Sequence, residues 1–130
     1  MARAYTIDTA ALTLGTSVKW LDNILSHHTV SGVRSGCQGV SRRLSIEAIL
    51  ILAVVLLLIQ DIGLPTADAI HLAETLVGTE GRYRSRNGLS VGLELAPLRE
   101  NLLERLEAAV ETAPVPRRGR PPTNKTARLD

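Results

Sequence analysis

At 130 residues the chain is long enough for one compact domain plus a tail, and its single cysteine, Cys37, excludes an internal disulfide. Net charge is only +2, but its distribution is uneven. Residues 1–46 carry +3, 47–81 carry −5 with no Lys or Arg, 82–112 balance to zero, and 113–130 carry +4. Two basic ends around an acidic, apolar middle point to a polyanionic partner gripped at the ends.

Residues 6–14 read as a short helix, with Thr6 or Asp8 near its start and Gly15 just past its end. Thr16 or Ser17 caps a second helix that runs to about Ser26. The two helices have helix-turn-helix spacing. Ala11 is small where the helices must cross, and Gly15, four residues on, supplies the left-handed turn. Ile7, Ala10 and Leu14 face Leu21 and Ile24. Residues 27–43, with Gly32, Gly36 and Gly39 among Ser and Arg, read as a loop or a small two-stranded wing.

Ser45 caps a long helix through Asp61, with Glu47 in its first turn and Gly63 as its stop. Its apolar run, Ala48 to Ile59, is 12 residues. A membrane span needs about 20, so a helix buried on all sides is expected, part of it covered by a second copy of the chain. Pro65 opens a further helix to about Val77, with Ala69, Ile70, Ala73, Leu76 and Val77 as its apolar stripe.

Residues 81–95 read as a hairpin around Asn87-Gly88. A two-residue loop would mix Arg82 and Arg84 into an apolar face. A three-residue loop, Arg86-Asn87-Gly88, pairs Tyr83 with Val91 and Ser85 with Leu89, and puts both arginines opposite Ser90 and Gly92. Those arginines either touch phosphates or solvate the sheet. Pro97 opens a last helix to about Thr112, with Leu95, Leu98, Leu102, Leu106 and Ala109 as a packing seam and Glu100, Glu104 and Glu107 on a solvated face beside Arg99 and Arg105. From Pro114 onward the composition predicts disorder in the absence of DNA.

That tail contains Pro116-Arg117-Arg118-Gly119-Arg120-Pro121-Pro122, whose centre resembles the AT-hook of A·T-rich minor-groove binders. Gly119 lets the backbone approach the groove floor, and Arg118 and Arg120 suit its concentrated negative potential. At the other end, Tyr5-Thr6-Ile7, Leu14-Gly15-Thr16-Ser17-Val18-Lys19, Gly39-Val40-Ser41-Arg42-Arg43-Leu44-Ser45 and Ile62-Gly63-Leu64-Pro65 resemble MerR-like winged-helix DNA-binding proteins over roughly residues 5–77. The family's aromatic-rich end of the recognition helix is missing, with Asn23 and Ile24 there instead. The sensor cysteines of its metal-responsive members are also missing, so the fold carries over better than an effector mechanism does.

The resemblance implies a second helix in the major groove, with Thr16, Ser17, Lys19, Trp20 and Asn23 as contacts. Asn23 suits a base edge and Lys19 a phosphate. Trp20 packs either on sugar and thymine methyl groups or in the core. Arg34, Gln38, Arg42 and Arg43 lie on or beside the wing, suited to backbone or minor-groove contact, with plain solvation the alternative for each arginine. Arg117, Arg118, Gly119, Arg120 and Pro121 form the tail contact. His27, His28 and Cys37 match no standard zinc spacing, and no phosphate loop, nucleophile elbow or carboxylate pair is present. No enzyme activity, metal or cofactor is therefore expected.

The resulting expectation is a mainly α winged helix-turn-helix protein. Residues 1–78 hold the DNA-binding domain and the long apolar helix. Residues 79–113 form a hairpin and dimerisation helix, and 114–130 a disordered basic tail. The expected partner is double-stranded DNA, A·T-rich at the tail, bound by a homodimer with no membrane, in a cytoplasmic, nucleoid-associated transcriptional regulator. The alternatives are an architectural or phage-type DNA protein, or an antitoxin or adaptor that binds a polypeptide through helix 46–60. The start of the chain holds no long apolar run, so no signal peptide is expected.

Overall fold

The computed structural model describes residues 4–34 and 42–112. Strand β1 (Ala4–Thr6) leads straight into α1 (Ile7–Leu14). Thr6 caps the helix, its hydroxyl oxygen accepting from the Thr9 amide at 3.2 Å. Gly15 ends it at φ +72°, where a side chain would strain the backbone. The Gly15 amide donates to the Leu12 carbonyl and the Thr16 amide to that of Ala11, the paired bonds of a Schellman stop. Ser17 then caps α2 (Val18–His27), accepting from the Trp20 amide at 3.0 Å.

Strands β2 (Val33–Arg34) and β3 (Arg43–Ser45) complete an antiparallel sheet of order β1-β3-β2. Leu44 pairs with Tyr5 on one side and Val33 on the other, and is wholly buried. Gly32 lies so close to Ser45 and Ala48 that a Cβ there would collide with the Ser45 Oγ and press tightly on the Ala48 Cβ. Ser45 caps α3 (Ile46–Leu57), accepting from the Ala48 amide at 3.1 Å. The helix loosens into a π-helical turn over Leu58–Ile62 and stops at Gly63. Then follow α4 (Thr66–Gly78), a hairpin of β4 (Arg82–Arg84) and β5 (Ser90–Gly92), and α5 (Leu95–Thr112). The described chain is thus mainly helical, with five α-helices and small antiparallel sheets.

The hairpin has the register expected of it. Tyr83 pairs with Val91, Arg84 with Ser90 and Arg82 with Gly92, and the Ser85 amide donates to Leu89 across the three-residue loop. Helix α4 starts one residue later than expected. Pro65 is its N-cap, in extended conformation, and the helix begins at Thr66. Helix α5 starts two residues earlier, with Pro97 in its first turn, where the missing N–H costs nothing.

Two expectations about apolar surface need correction. Every residue from Ala48 to Val55 is buried within one chain, so α3 does not need a second copy to cover it. Helices α1 and α4 and strand β3 surround it. At about 1.5–3 kcal/mol for each fully buried large aliphatic side chain, this helix anchors the fold. The α5 seam is likewise spent internally. Leu95, Leu102, Leu106 and Ala109 are buried, and the helix lies along α1. One continuous core runs from Tyr5 to Leu106 and crosses the expected boundary at residue 78. No helix among the described residues is long and apolar enough to cross a membrane.

Candidate nucleic-acid interface

Helix α2 divides cleanly. Leu21, Ile24 and Leu25 are buried against the core, while Lys19, Asp22, Asn23, Ser26 and His27 are exposed. The inward residues recur at three- and four-residue spacing, so the helix must turn its polar edge outward. That edge borders an open depression of about 530 Å³ lined by Ser17, Lys19, Trp20, Asp22, Asn23, Ser26 and His27. Trp20 lies between the core and the depression. Its ring is half-buried and packs against the core, and it also forms part of the depression wall.

Several expected contact residues have local structural duties. The Ser17 hydroxyl is the α2 cap, and the Thr16 amide closes the preceding turn. A ring nitrogen of His27 bonds the Asn23 carbonyl at 2.8 Å and lays the imidazole along the helix. Lys19 and Asn23 remain as exposed polar side chains on the outward edge.

Arg42, expected on or beside the wing, is engaged on α2. Its Nη1 donates to Asp22 Oδ1 at 2.5 Å and its Nη2 to Ser26 Oγ at 3.2 Å. Ser26 in turn donates to the Asp22 carbonyl at 2.8 Å. Arg42 is therefore a strut that ties the approach to β3 onto α2. It also neutralises Asp22, the carboxylate of α2, beside the depression. Sequence reasoning missed this cluster. Asp22 and Ser26 sit four apart on one ridge, which was visible, but the cation reaches them from 16 to 20 residues away.

Arg34 and Arg43 are directly opposed on β2 and β3, on the face away from Leu44. Arg34 is exposed. Arg43 is half-buried, and its Nη1 is fully enclosed without a hydrogen bond among the described residues. Like charges paired across a ladder repel. Arg34 is thus the more accessible of the two. Gln38 and Cys37, and the tail residues Arg117, Arg118, Gly119, Arg120 and Pro121, lie outside the described residues.

On the hairpin, Arg82 and Arg84 share an exposed face, and no carboxylate lies within ion-pair distance of either among the described residues. Among the described residues, no group of three or more His, Cys, Asp or Glu side chains is placed to hold a metal ion. No family model matches this chain, and neither a curated protein nor a solved structure matches it.

Proposed function

We propose that the protein binds double-stranded DNA as a transcriptional regulator, presenting α2 to the major groove. The observation that carries this reading is the α1–turn–α2 unit. A three-residue turn, Gly15 to Ser17, is stopped on one side and capped on the other, and it projects Lys19 and Asn23 outward. Two further features support it. The sheet order β1-β3-β2, with both helices between β1 and β2 in the chain, supports a winged-helix reading. The Arg42–Asp22 pair removes a negative charge that would repel phosphate.

Lys19 engages phosphate and Asn23 a base edge, while Arg34 and the tail Arg118-Gly119-Arg120 add contacts at the flanks. The tail gains through effective concentration and not through intrinsic strength. An architectural DNA protein with little sequence preference is the second reading, supported by the same cationic groups. The adaptor reading loses its surface, because residues Ala48–Val55 of the helix assigned to it are buried. A dimer formed through helix 46–60 or the α5 seam meets the same objection.

Fluorescence anisotropy on A·T-rich and G·C-rich duplexes tests the proposal. The Lys19→Ala/Asn23→Ala double variant should lose about 10- to 100-fold in affinity, since a good base contact is worth about 1–3 kcal/mol. Its melting temperature should stay near that of the parent. Removing residues 114–130 should cost affinity chiefly on A·T-rich DNA. Binding that is unchanged by the double variant would remove α2 from the interface.

A further inference from the structure

Helix α5 carries a groove of about 540 Å³ lined, among the described residues, by Tyr5, Leu103, Leu106, Glu107, Val110 and Glu111. Leu103 and Val110, seven residues apart, are 40% and 39% exposed. They form an apolar stripe one step around the helix from the seam that packs on α1. On the far side of that stripe, Glu100, Glu104, Glu107 and Glu111 recur at spacings of four, three and four, all exposed. None of these four carboxylates lies within ion-pair distance of a Lys or Arg among the described residues. The surface is therefore an apolar strip bordered by an acidic ridge that no cation among the described residues neutralises.

We infer that this groove is the docking site for the chain's own C-terminal segment, residues 114–121. Its chemistry is the complement of the groove. Pro114-Val115-Pro116 is apolar, and Arg117, Arg118 and Arg120 follow at once. Helix α5 ends at Thr112, within one turn of Val110 and Glu111, so the segment begins at the end of the groove. From Thr112 back to Glu100 the helix is about 18 Å long. Extended chain from 113 to 121 reaches up to about 30 Å, enough to double back along the whole ridge. Val115 then covers Val110, and the arginines that follow meet the glutamate ridge of Glu111, Glu107 and Glu104. The short connection holds the local concentration in the millimolar range, so weak contacts suffice.

A second copy of the chain fits less well. Antiparallel pairing of two α5 helices through Leu103 and Val110 sets glutamate ridge against glutamate ridge, a costly juxtaposition. The docking does not depend on the DNA reading. If both hold, the ridge and the DNA compete for the same arginines.

The test is paramagnetic relaxation enhancement on the full chain, with a spin label attached through Thr123→Cys in a Cys37→Ser background. Broadening of the amide signals of residues 103–111 is expected at low salt. It should vanish at about 1 M salt, where the Debye length is ~3 Å. It should also vanish in the Glu104→Gln/Glu107→Gln/Glu111→Gln variant, whose remaining spectrum should overlay that of the parent. A Val115→Asp change should weaken it without altering the rest of the spectrum. Absence of broadening on α5 at low salt overturns the inference. So does broadening that appears only between separate labelled and isotope-enriched copies, which would give the groove to a second chain.

Discussion

Helices α2 and α5 are both laid on the same core by an aliphatic stripe, yet their outward faces are opposites. Helix α2 shows Lys19, Asn23 and His27, and its one carboxylate is neutralised by Arg42 from outside the helix. Helix α5 shows four glutamates with no cation on them among the described residues. The inward faces decide where each helix sits, and the outward charges decide what can approach it. On the proposed function, a polyanion approaches α2 more readily than α5, and a cationic segment has the reverse preference.

The largest effect should come from breaking what the two helices share. Leu21 and Leu102 are each 0% exposed, one on each helix. Leu21→Ala and Leu102→Ala should each destabilise the fold by about 2–5 kcal/mol in denaturant titration. If only one did so, the helices would not rest on one cooperative core. Next in size is the α2 cap. Ser17→Ala should cost about 1 kcal/mol, read as a melting temperature lower by several degrees, with the exposed face unchanged. A Ser17→Gly replacement should cost only a few tenths.

The smallest effect sharpens the charge contrast itself. Arg42→Ala exposes the Asp22 carboxylate on α2 and should lower DNA affinity by about 3- to 10-fold, while stability changes by under about 1 kcal/mol because the pair is solvent-accessible. Adding Asp22→Asn should restore much of the affinity. If the double variant binds no better than Arg42→Ala alone, Arg42 acts on DNA directly and not through Asp22.

Much of the local architecture was legible. Hydroxyl caps at Ser17 and Ser45 and the glycine stops at Gly15 and Gly63 are set by residues within a turn of the helix end, so a short window contains the whole signal. The hairpin register followed from side-chain alternation across a three-residue loop. The turn between α1 and α2 was visible for the same reason. The Arg42 strut was not, since its acceptors lie a helix and a strand away. Nor was the half-burial of Arg43.

Periodicity determined that α3 and α5 carry apolar surface that must be covered, because water penalises exposed aliphatic area wherever it lies. Periodicity does not say what covers it. In this protein α4 and α1 close over α3, and α5 returns to lie along α1, so surfaces that suggested a second chain are filled by the first. The hydrophobic effect has no direction, and only the tertiary arrangement decides which apolar stripes meet. The sequence by itself determined the elements, their caps and the charge on each face. The tertiary structure decided which faces remain outside, among them the polar edge of α2 and the acidic side of α5.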